Sequence, residues 1–139
     1  MREIIKNIKR EPNDLILMSV IALLYSLNNS FLKKAFSGIP GEFFKCYFND
    51  LMAPCFLLAY SNMLLSLKGK RINKIIFILP FCLCVGLIWE YFTPLIKKSS
   101  VTDPFDILAY LIGGSIYFAL EKVRDMKPEF RIFNKHNKN

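Results

Sequence analysis

The apolar residues of this chain run in long blocks and follow neither the 3.6-residue period of an amphipathic helix nor the two-residue period of a strand. Four blocks stand out: Leu15 to Leu32, Leu51 to Leu67, Ile75 to Phe92, and Ile107 to Leu120, the last extended at either end by Phe105 and Val123. At 1.5 Å of rise per residue, each is about as long as a hydrocarbon core of ~30 Å requires. The pattern predicts an all-α membrane protein, a four-transmembrane-helix bundle with spans near 15–32, 51–67, 75–92 and 105–123. These spans make one domain over residues 1–125, followed by a polar cytoplasmic tail over 126–139 that reads as interfacial or disordered. The first block follows a basic start, but it is too long for a signal-peptide core and leads into Asn28, Asn29 and Ser30, not into a small-residue cleavage site. It is expected to be a retained helix.

Charge sets the orientation. Fourteen of the 19 Lys and Arg residues lie before the first block, between the second and third, or after the fourth. The other two connections carry only Lys33, Lys34, Lys45, Lys97 and Lys98. The positive-inside rule therefore places both termini in the cytoplasm. The net charge of +8 is accounted for by this topology and by attraction to anionic lipid, with no basic stripe that asks for a nucleic acid. The hydrophobic share of 53% fits the membrane assignment, being above the ordinary soluble range. Cysteines 46, 55, 82 and 84 show no CxxC spacing and the single histidine, His136, lies in the tail, so the sequence offers no zinc site.

In this topology the polar residues at the outer ends of the spans converge. Asn49 and Asp50 begin the second span, Trp89 and Glu90 end the third, and Asp103 and Asp106 begin the fourth; Asn28 and Asn29 reach the same level from the first. The aromatic stretch Gly41 to Phe48 belongs to the outer link and suits the headgroup region. At the cytoplasmic edge the acids, such as Asp14 beside Asn13, read as caps and pairing partners of the many cations. Asp103 and Asp106 have a capping explanation: Asp103 precedes Pro104 at the head of a helix and Asp106 stands three residues on. Asn49 and Asp50 can cap the second span in the same way.

Glu90 has no such explanation. It stands at a helix C-terminus, where the dipole disfavours an anion, inside a nearly unbroken apolar run. Lys97, Lys98, a backbone N–H at the head of the fourth span, or a bound cation would each serve as its partner. Asp103, Asp106, Tyr110 and Gly113 or Gly114 share roughly one helix face. Close packing at the glycines is the simple reading, and the wall of a cleft is the other. Pro54 and Pro80 are positioned to bend the second and third spans.

The run from Trp89 to Phe118, with an acid closing one span, an Asp-x-x-Asp step and a glycine-containing last span, resembles the VanZ-like small integral membrane proteins, with Glu90, Asp103, Asp106 and Gly113 at the matching positions. The resemblance covers about residues 48–120, and Ser99, Ser100 and Thr102 stand where that family commonly has an arginine. It implies a multi-pass protein of the bacterial inner membrane and, for some members, a part in antibiotic resistance.

The expectation is an outward-facing acidic site of Asn49, Asp50, Trp89, Glu90, Asp103, Asp106 and Tyr110, binding a lipid headgroup, an amphipathic antibiotic or a cation. No cofactor motif is present; the oxygen ligands would suit Mg²⁺ or Ca²⁺. Two alternatives use the same residues differently. One is a small secondary transporter or transporter subunit, dimerising through the glycine face of the fourth span. The other is an accessory or immunity protein packed against a membrane-protein partner. Catalysis is the weakest reading, because no nucleophile or outer arginine stands near the acids.

Overall fold

The structure is a computed structural model and describes residues 11–96 and 104–136. All its regular elements are helical. Helix α1 comprises Glu11–Leu27, a π-helical turn Asn28–Leu32 and a last turn Lys33–Ala35. Helix α2 comprises Gly38–Glu42, a second π-helical turn Phe43–Tyr47 and the long stretch Phe48–Ser66. Helices α3 and α4 span Ile75–Ile96 and Pro104–His136.

Three boundaries differ from expectation. The link before the second block is helical from Gly38 onward, because Gly38 takes a positive φ of 68° that ends the extended backbone at Phe36 and Ser37. The rings of Phe43, Phe44 and Phe48 on the new helix, with Phe36 before it, then meet in tilted and edge-on contacts, with centroids 5.1–6.2 Å apart. Helix α4 continues through the predicted tail to His136. Helix α1 starts four residues before the first apolar block, with Pro12 in the first turn, where a missing N–H costs nothing.

The helices pack in the spatial order α1, α2, α4, α3: α2 lies between α1 and α4, α3 rests chiefly on α4, and α2 and α3 meet only marginally. Buried Ile21, Leu58, Ala59, Ile78, Cys82 and Tyr117 form the core. Gly113 and Gly114 make the α4 contacts close. A methyl group at Gly113 would strike the Leu51 carbonyl and the Pro54 ring of α2, and one at Gly114 would strike Cys82 of α3. The Cys55 thiol donates to the Gly113 carbonyl at 3.0 Å. The glycine face is thus spent inside the bundle, so it is not a free surface for dimerisation.

Burial is inverted relative to a water-soluble bundle. Asp14, Asn28, Asn62, Ser66, Glu90 and Glu121 are buried, while Ile16, Leu23, Ile76, Phe77, Ile88 and Ile112 are exposed. Two helical stretches, Pro12–Ala35 and Ile75–Phe92, are long and apolar enough to cross a membrane. Helices α2 and α4 carry more polar residues, and several of those point inward.

Candidate functional site

The bundle has two polar ends. At the first, helix α2 stops in a Schellman-type turn: Lys70 N–H donates to the Leu65 carbonyl at 3.0 Å, Gly69 N–H donates to Ser66 at 2.9 Å, and Gly69 has φ 67°. The chain then folds back. Asn62, fully buried, accepts from the Ile72 N–H at 2.6 Å and donates to the Ile72 carbonyl at 2.9 Å and to the Tyr117 hydroxyl at 2.7 Å. Fixing both backbone groups of Ile72 turns the neighbouring Arg71 into the bundle. Its guanidinium donates to both oxygens of Asp14, at 2.7 and 2.8 Å, and to both of Glu121, at 3.1 Å each. Arg124 closes the network with bonds to Asp14 at 3.2 Å and Glu121 at 2.9 Å. Burial pulls the Arg71 guanidinium down, but its hydrogen bonds to Asp14 and Glu121 outweigh it and the net shift is upward, so its charge is held.

This end was only partly legible in advance. Asp14 is a pairing partner as expected, but it is fully buried, and it pairs across the bundle. Its partners lie 57 and 110 residues away, and no local spacing announces them. The available signals were Asn62, the one amide side chain within the second apolar block, and Arg71 in the short loop that follows it.

The second end gathers the residues predicted as a site. Asn28 is fully buried and donates through Nδ2 to the Phe44 carbonyl and to Asn49 Oδ1, each at 2.9 Å. Asn49 Nδ2 reaches Asn29 at 3.5 Å. Both π-helical turns are involved: Asn28 opens the first, and Phe44 lies in the second, so the extra residue in each coincides with the polar seam between α1 and α2. Asp50, one residue outside the second apolar block, lies within electrostatic range of Glu90 and Lys33; burial first and Glu90 second push its carboxyl up to about 6. Asp50, Glu90 and Asp106 all act on the buried phenol of Tyr110. Glu90 is 7% exposed and Trp89 57% exposed. Asp103, Lys97 and Lys98 lie outside the described residues.

Among the described residues, then, Asp50, Glu90, Asp106 and Tyr110 come together, and Asn49 sits on the adjoining seam with α1. Among the described residues no three His, Cys, Asp or Glu side chains converge as a set that could hold a metal ion, so the closeness of these acids is electrostatic and not that of a ligand cage. Beside them lies a cleft of about 480 Å³, lined by residues of all four helices, with the Tyr110 face of α4 forming part of its wall. Asn49, Trp89 and Tyr110 line it together with Ile21, Phe56 and Val85.

No protein-family model, curated protein or solved structure matches the chain.

Proposed function

We propose that the chain is a VanZ-like, four-span protein of the bacterial inner membrane, with both termini cytoplasmic, and that its acidic end binds a cationic group at the outer membrane surface. The observation that carries this reading is the gathering of Asp50, Glu90 and Asp106 around Tyr110 at one end of the bundle, with Arg71 and Arg124 at the other. Inverted burial supports the membrane assignment, since exposed aliphatic side chains cost nothing against lipid while buried polar groups must find partners within the protein. The arginine end then faces the cytoplasm by the positive-inside rule. Burial is the larger cause of the upward shift at Asp50, on which Lys33 acts in the opposite sense to Glu90.

The ligand in this reading is a lipid headgroup, an amphipathic antibiotic or a simple cation. The test is the melting temperature of the purified protein with Mg²⁺, Ca²⁺ or ethanolammonium, in wild type and in Glu90→Gln. A cation held by the acids raises the wild-type value by mass action and leaves the variant unmoved. If none of the three moves the wild type, the acidic end is not a cation site.

A further inference from the structure

Helix α4 runs unbroken from Pro104 to His136, 33 residues or ~50 Å at 1.5 Å per residue, which is longer than a hydrocarbon core of ~30 Å needs. One of its faces is spent on the bundle: Tyr110, Tyr117 and Glu121 are buried there, and Gly114 lies against Cys82. The opposite face carries the positions of Ile116, Ala119, Val123, Met126, Phe130 and Phe133, spaced alternately by three and four residues. Ile112 begins the same stripe one turn earlier, and Ile112, Ile116 and Val123 are 53%, 39% and 46% exposed. Against lipid this first part of the stripe needs no cover. Its continuation does, because Phe133 stands ten residues, ~15 Å, beyond Val123, in a sequence where Arg124, Asp125, Lys127, Glu129 and Arg131 belong to water.

We infer that this stripe is the seam of a parallel dimer, in which α4 of one copy packs along α4 of a second copy from the bilayer into the cytoplasm. This rests on the membrane topology proposed above and is independent of the cation site. The spacing favours a helix as partner over a flat surface: beyond Val123 the stripe is no wider than the three-and-four repeat, and Ile132 is the one aliphatic residue off it. An unbroken α4 also carries its extension away from the bilayer, so the membrane surface does not reach it. A second copy does. Copies in one membrane share an orientation, and a two-fold axis along α4 sets the stripe against itself. The area is sufficient: at ~150–250 Å² each, Phe130 and Phe133 of two copies bury ~600–1,000 Å², and Val123 and Met126 carry the seam past the ~1,000 Å² of a specific interface. Pro128 removes a hydrogen bond within the extension, which as an isolated helix is marginal and draws its stability from packing. Lys122 and Lys127 flank the stripe, where two copies bring like charges together; the Lys122 ammonium is drawn back over the Phe118 ring, 5.5 Å from its centroid and one turn nearer the span.

The test is the mass of the full chain in nonionic micelles, measured by light scattering with the detergent subtracted. The wild type is expected to be a dimer. Phe130→Glu and Phe133→Glu each weaken it by roughly tenfold or more, while Ile132→Glu, off the stripe, leaves it intact. All three positions lie past the core of the bundle, so the variants are expected to melt with the wild type. In native membranes, with the exposed thiols removed by Cys46→Ser and Cys84→Ser, oxidation by copper phenanthroline is expected to join Phe130→Cys chains into a covalent dimer and to leave Ile132→Cys chains single. That readout stands whichever way the termini face, so it separates the dimer from the topology. A monomeric wild type together with no cross-link at Phe130→Cys overturns the dimer. Equal responses of the Phe130 and Ile132 variants overturn the stripe as its seam. A monomer whose Phe130→Cys thiol is shielded from a water-soluble maleimide only when vesicles are added gives the stripe to the membrane surface, and overturns the proposal as well.

Discussion

Arg71 grips Asp14 with two nearly parallel hydrogen bonds of 2.7 and 2.8 Å while the two side chains are 3% and 0% exposed, so a loop residue and the first turn of α1 share one buried charge pair. Such a pair adds little over a well-packed apolar substitute, yet halving it is costly because the survivor stays buried without its counter-charge. Arg71→Met is expected to destabilise the protein by about 3–5 kcal/mol in chemical unfolding. Adding Asp14→Asn should recover part of that loss. A double mutant that is as unstable as the two single losses summed would show that the pair is not coupled.

Asn62 and Tyr117 predict a graded response. Tyr117→Phe removes one acceptor while Asn62 keeps its bonds to Ile72, so the expected cost is about 0.5–1.5 kcal/mol. Asn62→Leu also strips the Ile72 N–H of its partner and releases the turn that aims Arg71, for about 1–3 kcal/mol from the orphaned group before any loss at the ion pairs. Equal effects of the two substitutions would argue against Asn62 as the hinge of this end.

Gly114 meets Cys82 where α4 crosses α3. Gly114→Ala is expected to lower stability by about 1–3 kcal/mol through overpacking. Cys82→Ala removes the colliding thiol, so the double mutant should be more stable than the two single effects summed. Strict additivity in unfolding measurements would place the two residues out of contact.

Asp50 predicts a pH dependence whose sign is the reverse of ordinary acid denaturation. Its carboxyl is raised to about 6 from 3.8 by burial and then by Glu90, so the ionised form is the costly one in the folded state. The favourable contribution of the protonated carboxyl is complete below about 3.8 and is lost as pH rises through about 6. Without added ligand, Asp50→Asn should therefore melt higher than wild type at pH 8, by about 2–5 °C after allowing for partial exposure, and the gap should close towards pH 4. A gap independent of pH would assign it to packing.

Cys46 and Cys84 are exposed, whereas Cys55 and Cys82 are buried. If the acidic end faces outward, a membrane-impermeant maleimide applied to intact cells labels Cys46, within the second π-helical turn, and a Cys46→Ser variant is not labelled. Labelling of Cys46 only after the cells are opened would invert the orientation argued from the positive charges.

The sequence announced the four helical blocks, because an apolar run of some eighteen residues has few other ways to satisfy its backbone, and antiparallel alternation alone led to the expectation that Asp50, Glu90, Asp106 and Tyr110 share one end. It could not announce that Arg71 would reach Asp14 and Glu121, since such pairing depends on the rotation of each helix about its axis. A cleft wall at Tyr110 was one reading of the sequence, but its place between α1 and α3 follows from the packing order of the helices, which apolar blocks with little periodicity leave open. Helix α2 shows the limit at a single residue, for Gly38 read as a loop breaker and proves to be the residue that lets a helix begin early.

The buried arginine network also bears on how the protein is made. Asp14 emerges from synthesis long before Arg71, and Arg71 before Glu121, while Asn62 waits for Tyr117. Helices α2 and α4 carry the polar groups that these late partners satisfy, so, if the chain crosses a membrane as proposed, their hold in the bilayer depends on company. A chain cut after Leu120 would keep nearly every apolar residue of its four blocks and still lack the carboxylate that Arg71 shares with Asp14. Biogenesis is therefore expected to be a collective event completed by the last helix, and quality control should treat that truncated chain as unassembled.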